Sequence, residues 1–318
     1  MSGGRRLRDV GEHGWLARIL PRLPSGPRVL IGPGDDAAIV RAGRSAQVVT
    51  VDALVEGVHF RPGWATPRAL GRRAFRVAAS DLAAMGALPT AVLVALECPP
   101  ARPEAEITGF TRGLAAEADR HGAPLVGGNL SAGPRLAASV TVLGEAPGRV
   151  ATRAGARAGH LVVVTGALGA GAAVVRALRA GRRVPWPLPP DRLTTGVLLA
   201  RHVTAMIDLS DGLLQDLGHV CRSSGVGARI DVARVPVAPR CRALAGGAAR
   251  RLALGGGGDY ELLATVAPAR WRALRAAAAR ARCRLTAIGE IVPGRGVALH
   301  EAGAPVDGAG RVGWDHFA

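Results

Sequence analysis

The 318-residue chain is long enough for two domains, and 48% hydrophobic against 20% charged residues excludes a disordered protein. Its formal charge of +17 rests on 41 basic residues, all of them arginine and in runs no longer than two, so the clustered stripe of a nucleic-acid binder is missing and no such partner is expected. The complete lack of lysine excludes a Walker P-loop, the protein-kinase phosphate clamp and Schiff-base chemistry.

In chain order, residues 28–31 and 46–52 read as short strands, each leading into a glycine-rich or acidic turn. A helix follows from Thr66, a plausible N-cap with Pro67 in the first turn, and closes at Gly86. A strand over 90–97, a helix over 103–122 with an acidic start and a strand over 135–146 complete a first half. The Gly/Arg-rich stretch 148–159 reads as a domain boundary, dividing the chain into 1–148 and 149–318. Beyond it come a strand (161–166), helices (169–180 and 191–202) around a proline-rich turn, and the strand "AMID". A helix over 211–223, the strands "ARIDV" and 261–266, a helix over 268–282 and the strand "LTAIGEI" finish the set. Strands and helices mix in both halves, which predicts two α/β (α+β) domains. The stretch "VTGALGAGAA" has the wrong spacing for a dinucleotide fingerprint, and close helix–strand packing is the expected reason for its glycines.

No apolar run of about 18 residues is present, so no membrane partner is expected. The N-terminal segment lacks the apolar core of a signal peptide, and four widely separated cysteines show no metal spacing. Both features predict reduced thiols in a cytoplasmic protein.

Aspartates gather at strand ends and turns. "GPGDDAAIV" holds Asp35 and Asp36; "TVDALVEGVHF" holds Asp52, Glu56 and His59; "AASDLAAMG" sets Asp81 in an apolar helix; "AMIDLSDGLLQDLGH" holds Asp208, Ser210 and Asp211. Singly, each is ordinary turn or capping chemistry. Asp81 requires a partner, an arginine or a metal ion, because an unpaired buried carboxylate is costly. Together these hard-oxygen groups beside glycine turns suit Mg²⁺ bridging protein to phosphate, with no Cys/His pairs for zinc. Residues 255–258 are four consecutive glycines before the single tyrosine, Tyr260. Either a flexible connector or a close backbone approach would explain them.

Eight motifs in order ("GPGDDAAIV", "TVDALVEGVHF", "SDLAAMGALPT", "LVGGN", "TRAGARAGH", "IDLSDGLLQDLGH", "GGDYELL", "GWDHF") make the chain resemble the thiamine-monophosphate kinases, in the superfamily of aminoimidazole ribonucleotide synthetase. That resemblance implies ATP-dependent phosphorylation of thiamine monophosphate to thiamine diphosphate, with Mg²⁺. It also implies a homodimer whose N-terminal domains (1–148) bind ATP and Mg²⁺ and form a dimeric β-barrel. The C-terminal α/β domain (149–318) would complete the active-site cleft. The resemblance assigns Asp36, Thr50, Val51, Asp52, Asp81, Asn129, Asp208 and Asp211 to metal. It assigns Gly128, Asn129, His121, Arg153 and Ser210 to ATP, and His59, Trp314 and Gly258 to substrate. Asp211 and Arg153 would serve the transfer itself.

The chain departs from the family's motifs at several positions. Asn129 stands where an aspartate is usual, Val51 and Ala53 where threonines are usual, and His121 where a tyrosine is frequent. Gly258 replaces a glutamate that contacts substrate, so restoring a glutamate is expected to tighten substrate binding. These departures keep two alternatives open: a sibling enzyme with another phosphorylated substrate, and a non-catalytic nucleotide-binding homologue.

Overall fold

A computed structural model describes residues 45–306 without interruption, together with Trp15, residues 18–22, 26, 27, 29–31, 39, 40, 43 and Gly313. Asp36 and Trp314 lie outside the described residues. The chain divides into two compact units, Met1–Leu82 with Leu88–Glu145, and Ala83–Ala87 with Ala146–Ala318.

In the first unit the short strands β1 (Val29–Ile31) and β2 (Ile39–Val40) pair with each other. A four-stranded sheet then uses β3 (Ala46–Val55), β4 (Leu88–Cys98), β5 (Leu125–Ala132) and β6 (Ala137–Ala146) in the order β3-β6-β4-β5. Helices α1 (Pro67–Met85) and α2 (Glu104–Asp119) provide its buried partners. The Thr66 hydroxyl accepts the Ala69 N–H at 3.2 Å, so the N-cap read from sequence forms. Leu70, Ala74, Phe75, Ala78 and Leu82 line one face of α1 and are buried, as the i, i+4 spacing requires. On β4, Val92, Val94 and Leu96 are buried, whereas Ala95 and Glu97 are exposed on the opposite face.

An ion-pair cluster fixes α1 on α2. Arg72 and Arg76 each donate through Nε to the buried Glu117, at 2.7 and 2.6 Å. Burial alone would push the Glu117 carboxyl up, but hydrogen bonds from Arg72 and Arg76 and their charges outweigh it and hold it below its usual value.

The second unit is built on a seven-stranded sheet of β7 (Leu161–Thr165), β8 (Ala205–Asp208), β9 (Gly227–Asp231), β10 (Leu262–Val266), β11 (Leu285–Val292), β12 (Gly296–Glu301) and β13 (Ala304–Val306). Its order is β13-β12-β9-β11-β7-β10-β8, and only β12 with β9 runs parallel. Around it lie α3 (Ala170–Arg179), α4 (Leu193–Ala200), α5 (Leu213–Ser224), α6 (Pro239–Ala245), α7 (Ala249–Gly255) and α8 (Trp271–Arg280). Leu213, Leu217, Val220 and Cys221 of α5 join Val162, Val164, Ile207, Ile230, Leu263 and Ile288 of the strands in one core. Ala173, Ala238, Cys241 and Ala249 form a satellite cluster between α3, α6 and α7.

Three features differ from the sequence expectation. Residues 125–132, to which the sequence reading assigns no element, form an edge strand parallel to β4. The chain also folds 239–255 into two short helices broken at Gly246 and Gly247, and 296–306 into a hairpin. Short elements punctuated by glycine carry too little periodicity to be read alone. All four cysteines are buried and unpaired, and among the described residues no helix is long and apolar enough to cross a membrane.

Because the Glu117 value is lowered on folding, its contribution to stability is complete above pH 4.5, the ordinary glutamate value, and is lost as the pH falls through the folded value. Glu117→Gln is expected to lower stability by roughly 1–3 kcal/mol at pH 7 and by less under acid conditions. Urea unfolding at the two pH values measures the difference.

Candidate active site

In the first unit, β3 sorts the predicted residues by parity. The Thr50 hydroxyl donates to Asp81 Oδ2 at 2.5 Å, which places Thr50 on the side of the sheet facing α1. Asp52 and Leu54 share that parity. One partner of Asp81 is therefore a hydroxyl, and the carboxylate is half-buried among the buried Ala78, Ala79, Leu82 and Ala83. Asp52 Oδ1 accepts the Ala53 N–H at 2.6 Å.

Val51 points the other way and is 64% exposed. Its side chain has no ligating atom and lies on the face opposite Thr50 and Asp81, so only its main-chain carbonyl could serve a metal. Asn129 is likewise set apart. It pairs with Ala95 on the face turned away from the buried Val94 and Leu96, and β5 is the edge opposite β3. Within the single chain, then, Asn129 is not brought to the Thr50 and Asp81 pair. Gly128 pairs with Val94 inside the ladder, and a Cβ there would overlap the Val94 carbonyl oxygen, so the strand itself demands glycine.

A tight loop follows β3, closed by the Gly57 N–H on the Phe60 carbonyl at 2.7 Å and by the ion pair of Glu56 with Arg102. His59 sits in it with Nδ1 accepting the Val55 N–H at 2.9 Å, so its ring proton is on Nε2. His121 follows α2 and stacks on Phe75 with centroids 5.6 Å apart, which gives the ring a packing role.

In the second unit, β8 ends at the buried Asp208, in register with Leu262 of β10. The pairing continues beyond both strands. Leu209 donates to the Glu261 carbonyl at 2.8 Å, Tyr260 to the Leu209 carbonyl at 2.8 Å, and Gly258 to the Ser210 carbonyl at 2.7 Å. Residues 255–258 thus answer the question raised by their sequence: what comes close is the chain's own aspartate turn. A Cβ on Gly257 would lie 2.5 Å from the Ser210 carbonyl oxygen. Gly258 differs, since it holds φ +85° and a Cβ there would meet nothing nearer than the Gly171 Cα at 3.9 Å. A glutamate at 258 has room, at a backbone cost of about 1–2 kcal/mol for the left-handed conformation.

The turn is braced by residues that sequence reasoning did not assign. Asp216, one turn into α5, reaches back to accept the N–H groups of Asp211 at 3.1 Å and Gly212 at 3.0 Å. Burial pushes its carboxyl up to about 7; the Gly212 hydrogen bond opposes this, the Asp211 charge adds to it, and Arg153 draws it down. Burial lowers His219 most, the Arg222 charge adds to this, and the Arg153 charge acts on it as on Asp216. Gln215 holds Asp211 Oδ2 at 3.1 Å.

Asp259 caps α3 from 90 residues away, accepting Gly169 N–H at 2.6 Å and Gly171 N–H at 3.0 Å, and burial pushes it up to about 7. Glu261 takes a two-pronged contact from Arg192, at 2.6 and 2.7 Å, and the Thr165 hydroxyl at 2.6 Å. The glycines of "VTGALGAGAA" serve this packing, because a Cβ on Gly166 would overlap Glu261 and one on Gly171 the Gly258 carbonyl. The signal for these braces was present in "GGGDYEL" and in the spacing from Gly212 to Asp216, but their partners are distant in sequence.

Thr50, Asp52 and Asp81 of the first unit, and separately Asp208 and Asp211 of the second, carry oxygen donors only, the ligand type that Mg²⁺ prefers. Among the described residues no group of three or more His, Cys, Asp or Glu gathers at one point, so phosphate oxygens and water would have to complete any such coordination.

Comparison with known proteins matches residues 34–146 to the AIR synthase related protein N-terminal domain and residues 157–301 to its C-terminal domain. The thiamine-monophosphate kinase of Mycobacterium tuberculosis (strain CDC 1551 / Oshkosh) is 37% identical over 288 residues, 84% of this chain and 85% of that protein. The crystal structure of thiamine-monophosphate kinase from Stenotrophomonas maltophilia K279a superposes with a TM-score of 0.79 at 37% identity, covering 92% of this chain and 95% of that one. AaThiL complexed with AMPPCP and TMP superposes with a TM-score of 0.76 at 30% identity, covering 99% of this chain and 100% of that one.

Asp259→Ala strands the buried Gly169 N–H and the partly buried Gly171 N–H at the start of α3. It is expected to cost roughly 2–4 kcal/mol, with Asp259→Asn costing less because its carbonyl still accepts one bond. Chemical denaturation of the two variants checks the order.

Proposed function

The chain belongs to the thiamine-monophosphate kinases of the AIR synthase related family, and we propose that it transfers the γ-phosphoryl group of ATP directly to the phosphate of thiamine monophosphate, giving thiamine diphosphate and ADP. The observation that supports this mechanism best is the aspartate turn 208–212. Its backbone is held by the glycine loop, Asp216 and the β8/β10 pairing, so its carboxylates need no reorganisation when phosphates arrive.

In this reading a terminal phosphate oxygen of thiamine monophosphate forms the new bond to the γ-phosphorus while the bond to the β-phosphate oxygen breaks. The attacking oxygen is already ionised at neutral pH, so no strong general base is required. Asp208 and Asp211, with Asp36, Thr50, Asp52 and Asp81, would hold Mg²⁺, which when bound neutralises charge on the transferring phosphates. Arg153 would balance the charge that develops on the nucleotide, and Ser210 would donate to it. His59, whose Nε2 carries the proton, would donate to the substrate. Asn129, Gly128 and His121 toward ATP, and Gly258 and Trp314 toward thiamine monophosphate, remain proposals on the family's motifs. So do residues 1–148 as the ATP, Mg²⁺ and dimerisation domain, 149–318 as the domain that supplies the remaining groups, and a cytoplasmic location.

A homodimer belongs to the same reading. One face of the four-stranded sheet carries Val49 and Val51, 61% and 64% exposed, beside the exposed Ala95 and Ser139. A second copy of the face would bury these valines and could close the two sheets into a barrel.

Purified protein with Mg²⁺, ATP and thiamine monophosphate is expected to form thiamine diphosphate. Nucleotide binding without product would favour a non-catalytic homologue, and transfer to another acceptor a sibling enzyme. Asp81→Asn should lower turnover at least about a hundredfold with unchanged thermal unfolding, and survival within a few-fold would remove Asp81 from the site. Val51→Arg is expected to sediment as a monomer where the natural chain sediments as a dimer.

A further inference from the structure

A pocket of about 500 Å³ opens in the second unit away from the aspartate turn's own residues. Val232, Val235 and Val237 give it an apolar floor, Gly246 and Gly247 one wall, and Arg242 and Arg250 its charge. Arg250 pairs with Glu301 at 2.7 Å, whereas Arg242 has no ion pair with any described residue, which leaves its guanidinium as the cation on offer to an anion here. No part of the phosphoryl-transfer reading uses any of these residues. Neither glycine is required by packing, because a Cβ on Gly246 or Gly247 would meet nothing within 4 Å. Gly246 holds φ +52°, which favours glycine, whereas Gly247 has no such backbone reason, and neither side of that wall is filled by a side chain.

The pocket is also joined mechanically to the aspartate turn. Helix α7 begins at the pocket with Ala249 and Arg250 and ends at Gly255. At that end a Cβ on Gly212 would lie 2.8 Å from the Gly255 carbonyl carbon. A seven-residue helix with Ala249 and Ala253 buried has little freedom to move one end alone.

We propose that this pocket binds a small organic anion, an apolar body bearing one phosphate or carboxylate group, and that its occupancy is felt at turn 208–212 through α7. Valines fit the apolar body, the Arg242 guanidinium fits the anionic group, and the coupling is reciprocal by thermodynamic necessity. The coupling half rests on the kinase reading of the turn; the binding half does not.

Phenyl phosphate is the probe, titrated calorimetrically into protein saturated with Mg²⁺, AMPPCP and thiamine monophosphate so that the substrate sites are filled. The natural chain is expected to bind about one equivalent, and inorganic phosphate more weakly because it has no apolar body. Gly247→Leu, which fills the pocket from a position with no left-handed backbone, and Arg242→Gln should each weaken phenyl phosphate at least about tenfold. No heat with the natural chain, or equal affinity in both variants, overturns the site. Turnover measured with the probe bound should change more than about twofold in the natural chain and stay constant in Gly247→Leu. Binding with unchanged turnover overturns the coupling.

Discussion

Two stretches of main chain lie against each other without side chains between them, and the second unit is arranged around that contact. Residues 257–262 continue the β10 ladder onto residues 208–211, donor to acceptor, past the point where either strand ends. Such contact is possible only where no Cβ intervenes, which is why Gly257 faces the Ser210 carbonyl. Four glycines in a row are entropically costly to order, yet here the Gly258 N–H bond to the Ser210 carbonyl holds the peptide that leads into Asp211. A loop ordered in this way positions carboxylates more tightly than a flexible connector could.

Two buried carboxylates lie beside this contact, and each is tolerated because it has partners of its own. Asp259 sits at 8% exposure, but its oxygens satisfy N–H groups at the start of α3 that would otherwise be orphaned. Glu261 is buried beside it and is matched by the planar fork of Arg192 and by a hydroxyl. In a chain with no lysine, every long cation is an arginine, and arginine suits such buried two-pronged pairing. The cluster of Arg72, Arg76 and Glu117 does comparable work in the first unit, holding the helix that carries Asp81.

The first unit shows how a strand's alternation divides a motif. "TVDALVEGVHF" reads as one block of candidate ligands, yet β3 turns Thr50 toward Asp81 and Val51 outward. The motif therefore divides in two, facing Asp81 on one side and, in the proposed dimer, a second copy on the other. Asn129 falls on the exposed face as well, at the far edge of the sheet, and so it belongs with the outward set.

By itself the sequence determined the chemistry on offer: oxygen donors at strand ends, no lysine, no thiol or imidazole pair for zinc, and helices and strands in an order that predicts two mixed domains. It also determined the Thr66 cap and the buried face of α1, because capping and amphipathic spacing are local. Only the tertiary structure decided what the glycine loop touches, that Gly128 lies inside a ladder, that Asp216 braces the turn, and that Asp259 caps α3 while Glu261 pairs with Arg192 and Thr165. Asp259 meets Gly169 across 90 residues and Glu261 meets Thr165 across 96, and these meetings follow from sheet register. Register is a property of strands paired in space, and periodicity within one segment carries no record of it.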